Sequence, residues 1–376
     1  MYSDELLLPL YRRLAGRLPG LRLFDAHTHL GDHDPDGSRL ALPDLLDALR
    51  LADAQAVTFP LMEPDGYREA NTAVIAAAAA SEGRLVPFCR IDPRQDPVAE
   101  LERCYIAGAR GVKLHPRAER FDLRHAGVHA VMAAAAERAL PVVVHSGLGI
   151  PSLGRDALAL AARYPEAPLV LAHVAATDLA WIWRRLPDHP SLFLDTAWWN
   201  PADHVALFSH VPPGHILFGS DAPYGTPVAA AIVAIASALG AGLSPAQTEA
   251  VAGGQLRRLL AGEPAPDALD LGPAPGPPAP RPPLVDRVFT MLVAALARML
   301  ADAATGDLLE LARLGCNTGD DVPAAGALAD VAALLDLRER YAQTHTLDGH
   351  RTAGFHLVLA AAALAASPGV LADPSG

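Results

Sequence analysis

The chain alternates between two kinds of segment, and that rhythm restricts the folds open to it. Eight short apolar runs rich in β-branched residues recur at Leu21–His29, Ala56–Met62, Leu85–Ile91, Arg110–His115, Pro141–Ser146, Pro168–Val174, Ser191–Thr196 and Ile216–Asp221. Between them lie alanine-rich segments with helical spacing, among them Pro43–Ala52, Tyr67–Ser81, Pro97–Ala107, Gly127–Arg138, Arg155–Tyr164 and Thr177–Leu186. Strands and helices in alternation build parallel βα units, because a parallel neighbour is reached only by a crossover. Eight such units predict an α/β fold of the (β/α)8 TIM-barrel type, which takes about 250 residues. An open doubly wound sheet is the alternative, but no Gly-x-Gly-x-x-Gly turn follows a run.

A barrel does not use up the 376 residues. Ahead of it, Met1–Gly20 carries apolar residues at helical spacing and predicts a short amphipathic helix. Asp4 and Glu5 stand where a secretory signal would be basic. Behind the eighth run come helical stretches at Pro227–Leu239 and Pro245–Leu260. Glu263–Pro283 is dense in proline and alanine and reads as a semi-rigid extended linker. Helical spacing resumes at Val285–Ala301, Asp307–Leu314, Ala324–Tyr341 and Gly354–Ala366. The expected organisation is a barrel over 1–262, a linker over 263–283, and a small all-α module over 284–376 whose role the sequence leaves open.

In a barrel of this type the active site gathers at the C-terminal strand ends. His27 and His29 close the first run, Lys113 and His115 the fourth, His145 the fifth, His173 the sixth and Asp221 the eighth. Five of these seven positions are histidine, although the whole chain holds only 15. A lone buried histidine is usually a hydrogen-bonded core residue; a set sharing one end of the barrel points to a divalent cation. His27, His29 and His145 supply neutral nitrogens and Asp221 a carboxylate oxygen, a donor set that leaves a position open for water. A cation so held lowers the pKa of that water. Asp221 is then placed to accept its proton, and His173 to polarise the substrate or protonate the leaving group. The expected ion is one Zn2+, with Mn2+ as an alternative.

Several motifs fall in one order along the chain: Phe24-Asp25-Ala26-His27-Thr28-His29, Gly111-Val112-Lys113-Leu114-His115-Pro116, Val143-Val144-His145-Ser146-Gly147, Leu171-Ala172-His173, and Ile216-Leu217-Phe218-Gly219-Ser220-Asp221-Ala222-Pro223-Tyr224. Together they resemble the amidohydrolase superfamily, in its "amidohydrolase 2" branch of metal-dependent barrel hydrolases and decarboxylases, over roughly Leu21–Leu260. The resemblance implies that the histidines of the first and fifth runs and Asp221 bind metal, and that His173 is catalytic. It also gives Lys113 two roles. In some members a lysine there is carbamylated and bridges two metals, and in others the position binds no metal; as an ammonium Lys113 would pair with a substrate carboxylate or an acidic neighbour, and His115 is a candidate for the same metal-bridging or substrate-binding part. One metal is the expected case. The sequence departs from the family at Gln255-Leu256, where asparagine-alanine usually precedes the arginine.

Trp198 and Trp199 after the seventh run, and Arg117 after the fourth, are candidate pocket walls. Asp32-His33-Asp34-Pro35-Asp36-Gly37 starts like a calcium loop, but its twelfth position is Pro43, so it reads as an acidic loop at the site mouth. Ser146 and Ser220 lie outside any Gly-x-Ser-x-Gly elbow. His345, His350 and His356 are irregularly spaced and read as surface or cap residues.

Net charge of −12 argues against nucleic acid and anionic membrane as partners. No run reaches the roughly 20 apolar residues of a membrane span. Three widely spaced cysteines fit reduced thiols, and the expected location is the cytoplasm. The expected partners are a small-molecule substrate and, at most, further copies of the chain. The leading function is hydrolysis of a C–N or ester/lactone bond in a small carboxylated molecule. Non-oxidative decarboxylation is the alternative, and a degenerate barrel serving as an interaction scaffold is a third.

Overall fold

The computed structural model describes residues 1–147, 149–263, 271–319, 322–348 and 351–372. Residues 264–270 of the expected linker, His350 of the histidine group and the last four residues of the module lie outside the described residues. Eight strands run in chain order: β1 (Phe24–Leu30), β2 (Gln55–Pro60), β3 (Leu85–Pro87, continued by Cys89–Arg90), β4 (Val112–Leu114), β5 (Val142–Val144), β6 (Leu169–Leu171), β7 (Leu192–Asp195) and β8 (Ile216–Leu217). Every neighbouring pair is parallel. The ladder is bridged within β3 by Phe88 N donating to Thr58 O at 2.8 Å. At the remaining seam Ala26 N donates to Phe218 O, Asp221 N to His27 O and His29 N to Ala222 O, each at 2.8 Å. These three bonds join the last strand to the first and close the (β/α)8 barrel.

The helices are α1 (Asp4–Ala15), α2 (Leu42–Leu51), α3 (Arg68–Ala79), α4 (Pro97–Ala107), α5 (Ala126–Ala136), α6 (Gly154–Arg163), α7 (Leu179–Ile182), α8 (Pro201–His210), α9 (Pro227–Ala241), α10 (Pro245–Glu249) and α11 (Gln255–Leu260). Beyond the linker come α12 (Pro283–Leu300), α13 (Leu308–Cys316), α14 (Ala325–Thr344) and α15 (Phe355–Ala366), with a short antiparallel ladder of Leu347–Asp348 and Arg351–Thr352 before α15.

Most strands are shorter than the apolar runs suggest, and the missing residues are the functional ones. His115 and His145 come directly after the last residue of their strands and His173 two residues after, while Asp221 lies four residues beyond β8 and stays tied to β1 through its amide. His173, Val174 and Ala175 take φ of 59°, 52° and 50°, and Asp221 takes 60°. Left-handed backbone at non-glycine residues, and above all at a β-branched valine, is costly and is kept where surrounding structure over-determines it. Two expected helices are also broken. The stretch Thr177–Leu186 holds only the single turn α7 before a 3-10 segment, Trp183–Asp188, that contains Pro187. Pro245–Leu260 divides at Gly253, where a side chain would collide with Arg22 O of the chain entering β1.

Alternate residues fill the barrel interior, with Phe24, Val57, Phe59, Phe88 and Phe193 packed together and α11 closing the bottom through Leu256 and Leu259. Gln255, at the departure from the family pattern, is buried and donates to Gly214 O at 2.8 Å. A second core lies between strands and helices and runs without a break into α12–α15. All 12 residues of α15 are buried. It packs against α12 and α14 on one side and against α8, α9 and α1 on the other. An apolar helix surrounded on all sides is what its sequence, Phe-His-Leu-Val-Leu-Ala-Ala-Ala-Ala-Leu-Ala-Ala, requires. The described part of the linker crosses the surface without helix or strand, held where Gly276 N meets Ser209 O. His356 sits within α15, nearly fully buried beside Asp348. The expectation of a surface position fails there because the whole helix is internal; His345 is exposed.

Candidate metal centre and active-site cavity

At the C-terminal strand ends a cavity of about 680 Å³ opens, lined by all seven strand-end residues singled out above. Trp198, Trp199 and Arg117 line it too, as do Arg90, Arg120 and Tyr224. Three of the strand-end residues converge. One ligand atom each from His27, His29 and Asp221 lie within 4.8 Å of one another, all buried. His145 is not in that triplet. Its Nδ1 lies 2.9 Å from His173 Nε2, and its ring stacks on His115 at 3.8 Å.

The hydrogen bonds fix which nitrogens carry protons. His173 Nδ1 is 2.6 Å from Ala197 O, which can only accept, so Nδ1 is the donor. Burial holds the His173 imidazole below its ordinary pKa, hence neutral, and its Nε2 is a lone pair. His145 must then donate from Nδ1, which leaves its Nε2 as a lone pair. That atom is buried and has no hydrogen-bond partner among the described residues. In His29 both ring nitrogens face oxygens that can only accept, Pro60 O at 3.4 Å from Nδ1 and Asp221 Oδ1 at 3.1 Å from Nε2. Burial depresses its pKa to about 3, so the neutral ring has one proton for two acceptors.

Asp221 is ionised. Burial pushes its carboxyl up, but the neighbouring His27 and the bonds from His27 and His29 hold it well below the carboxylate range. Without a metal, His29 satisfies only one of its two acceptors; a cation at Nε2 would take the place of the proton there and leave Nδ1 to donate to Pro60 O. His27 Nε2 is also 3.1 Å from Asp221 Oδ1, while its Nδ1 is fixed by Asp195 Oδ2 at 2.8 Å. Burial and Lys113 oppose a proton on His27, yet Asp195 and Asp221 outweigh them and raise its pKa. Two imidazole nitrogens and a carboxylate oxygen facing one point, with a carboxylate behind one ring, fit a divalent cation. The unpartnered Nε2 of His145 in the same cavity fits it as well.

Lys113 Nζ lies 3.0 Å from His27 Nε2 and 4.7 Å from the centre of the Phe59 ring. Burial lowers its pKa to about 8, with Asp221 and Asp195 opposing. Arg90 is buried but neutralised by Glu119 at 2.8 Å, and Glu119 also accepts the Tyr67 hydroxyl and the His115 amide. At the mouth Asp34 accepts the Tyr224 hydroxyl at 3.1 Å. Among the described residues the other acidic group, Asp32, His33 and Glu63, is largely exposed and separate from this centre.

Sequence reasoning missed Asp195, although it ends β7, one residue short of the end of the seventh run, where the strand-end filter reaches it. One oxygen positions His27; the other accepts the amides of His173 at 2.8 Å and Ala197 at 3.0 Å. It thereby holds the left-handed turn that presents His173. Asp25, one step below His27, accepts the amides of His27 and Ser220, both at 2.9 Å. Burial raises its carboxyl to about 7. Leu300 and Arg351, from beyond the linker, also line the cavity, and no motif pointed to them.

The sequence model of the Amidohydrolase family (Amidohydro_2) matches residues 7–260, and the chain belongs to that family. The family is metal-dependent, and His27, His29 and Asp221 form the candidate ligand group. No curated protein matches the chain. Solved structures of similar fold include an uncharacterised TIM-barrel protein from Bordetella bronchiseptica, with TM-score 0.54 and 17% identity over 64% of this chain and 99% of that one. Another is 5-carboxyvanillate decarboxylase from Sphingomonas paucimobilis, with TM-score 0.52 and 15% identity over 64% and 99%. A third is 4-oxalomesaconate hydratase from Rhodopseudomonas palustris, with TM-score 0.51 and 16% identity over 64% and 96%. At these identities the likeness is one of fold. Among the described residues no helix is long and apolar enough to cross a membrane.

Proposed function

We propose that the protein is a metal-dependent hydrolase that cleaves a C–N or ester/lactone bond of a small carboxylated molecule. The observation that carries this reading is the convergence of His27, His29 and Asp221 on one point, in a cavity that His145, with its unpartnered Nε2, also lines. His27, His29 and Asp221 hold the ion, with His145 as the further nitrogen; one Zn2+ is the expected occupant. A bound divalent cation supplies Lewis acidity and makes water in the site more acidic. Asp221, ionised at neutral pH, accepts a proton from the attacking water. His173 has a single working nitrogen, since Nδ1 is committed to Ala197; its Nε2 lone pair takes up the proton that Asp221 received from water and passes it to the departing nitrogen or oxygen. Asp195 keeps His27 and His173 in register. Lys113, with a pKa near 8, is close enough to neutral for carbamylation, so a bridged metal pair is the variant of this reading.

Decarboxylation is the second reading, favoured by the cationic lining from Arg117, Arg120 and Arg351 and by the fold shared with a decarboxylase. In that case His173 or Asp221 protonates the carbon that loses CO2. Metal analysis of the purified full chain comes first, followed by assays of lactones, amides and aromatic carboxylates on the Zn2+-loaded protein. We expect one ion per chain and turnover that disappears on chelation and returns with metal. Stoichiometric CO2 release would replace the hydrolase reading with the second one. Unchanged metal content in His27→Ala and Asp221→Ala would overturn both.

A further inference from the structure

The cavity has a wall that the family match does not cover. The match stops at residue 260, yet Leu300 at the end of α12 and Arg351 in the ladder before α15 line the same space as His27, His173 and Asp221. Arg351 is half-buried, and its guanidinium carbon sits 4.9 Å above the ring of Trp199. Trp199 in turn stacks on Trp198 at 5.9 Å and 21°. An arginine laid on an indole face is oriented before any ligand arrives. Its Nε is buried and has no hydrogen-bond partner among the described residues. A guanidinium donor shut away from water without an acceptor is a destabilising arrangement unless a ligand completes it.

The surrounding charges sharpen this. Burial lowers the pKa of Arg351, while Asp302, Asp221 and Tyr224 raise it, so acidic groups face it at longer range. Of the carboxylates at the cavity mouth, Asp34 is already engaged by the Tyr224 hydroxyl and the Asp36 amide. Arg90 is neutralised by Glu119, whereas Arg117 and Arg120 line the cavity exposed and without an ion pair among the described residues. Arg351 is the cavity arginine that combines a fixed orientation with an unfilled buried donor.

We propose that Arg351 binds the carboxylate of the substrate, so that the chain beyond the linker sets specificity for a flat carboxylated molecule lying along Trp198 and Trp199. The proposal rests on the reading of this cavity as the substrate site. It assigns a specificity-determining role to a residue outside the barrel, and gives the helical part a task other than covering the core.

The test uses the full chain loaded with Zn2+ and two probes of nearly equal shape, benzoate and the neutral benzamide. Binding is read by quenching of tryptophan fluorescence and by calorimetry. Arg351→Gln should weaken benzoate roughly 10- to 100-fold, the scale of a lost hydrogen bond to a charged group, and leave benzamide unchanged. Arg351→Lys should recover only part of the loss, because an ammonium lacks the planar fork. Metal content and melting temperature should match wild type in both. Equal benzoate affinity in wild type and Arg351→Gln overturns the proposal, as does a wild type that does not bind benzoate up to its solubility. Parallel loss of benzoate and benzamide, with a lowered melting temperature, assigns Arg351 a structural role only and also overturns it. Arg351-dependent benzoate binding in a protein that turns over none of the assayed compounds would leave this inference standing and count against the proposed reaction instead.

Discussion

Two walls of one cavity are positioned by different physics. On the barrel side, His27, His29, Lys113, His145, His173 and Asp221 reach the cavity because each ends a parallel strand, and parallel strands in a closed barrel all end on the same side. On the other side, Leu300 and Arg351 reach it because α12 and α15 pack around a core shared with α9 and α1. The first wall follows from chain direction and strand spacing, both local properties. The second depends on contacts between segments more than a hundred residues apart. The difference teaches that the family-matched part can carry the chemistry while the remainder shapes the space in which it acts. Each prediction below strains one wall and reads the other.

The largest effect is expected from removing the second wall altogether. Twelve of the 15 residues of α9 are buried, and α15 is buried throughout. Gly240 of α9 is held against Ser367 at the end of α15, where a side chain would not fit. Ending the chain after Gly262 exposes the side of α9 that α15 covers. Each large aliphatic side chain returned to water costs about 1.5–3 kcal/mol, and a few of them cancel the roughly 5–15 kcal/mol of a typical domain. We therefore expect residues 1–262 to be insoluble, or to lose near-ultraviolet circular dichroism and cooperative melting. A soluble fragment with a sharp thermal transition and full metal content would show that the walls fold independently.

Next in size is His173→Asn, which acts within the first wall. Turnover should fall by about 10²–10⁴, the usual range for losing a general acid or base, while metal content stays near wild type. Benzoate should still bind, because Arg351 is untouched. Loss of metal in this variant would make His173 a ligand and Lys113 a candidate bridge. Full metal with unchanged turnover would leave the proton chemistry to Asp221 alone.

Asp195→Asn should be milder. The carboxylate behind His27 fixes its tautomer, and removing such support typically lowers metal affinity about 10- to 100-fold. The same change weakens the bonds that Asp195 accepts from the amides of His173 and Ala197. A competition titration with a chelator reads the affinity directly. Unaltered affinity would mean that the strand ends alone position His27, and that Asp195 serves only the turn.

How much of this was legible follows the same division. The strand rhythm and the strand-end filter were enough for the barrel and for gathering the seven strand-end residues around one cavity, which Trp198 and Trp199 also line. They could not say that His145 pairs through Nδ1 with His173 and stands outside the His27–His29–Asp221 triplet, because that depends on rotamers and on the left-handed turn at His173–Ala175. Asp195 carried the same signal as Asp221 and was passed over because a single carboxylate after an apolar run looks ordinary. Arg351 carried no signal. Its position depends on a linker and four helices, and nothing in its local sequence distinguishes it from a solvated arginine. His356 was misjudged because irregular histidine spacing says nothing about a helix buried on every side.

The smallest predicted effect tests whether the barrel wall is stabilised apart from the second wall. Glu100 on α4 accepts bonds from Arg103 Nη2 at 2.6 Å and Asn71 Nδ2 at 2.9 Å. Asn71 also bonds Arg90 O at 3.0 Å and receives Arg90 N at 2.8 Å, so this cluster pins β3 from outside. Burial raises the Glu100 carboxyl, but the bonds from Arg103, Asn71 and Cys104 and the Arg103 charge overcome it and lower its pKa from 4.5 to about 2. A depressed folded-state pKa means the contribution is complete above the unfolded value of 4.5 and fades as pH falls toward about 2. Glu100→Gln should therefore be less stable than wild type at pH 7, at the lower end of the about 1.5–3 kcal/mol for hydrogen bonds to charged groups, since Arg103 is partly exposed. The gap should close as acid protonates Glu100 in the wild type. Urea titrations of both proteins at neutral pH and at two values below 4.5 read that convergence. A gap that stays constant with pH would mean that the ionised form of Glu100 is not what holds β3. Benzoate affinity at neutral pH should be the same in both proteins, because Arg351 belongs to the other wall; a loss there would show that β3 and the C-terminal ladder are coupled through the cavity.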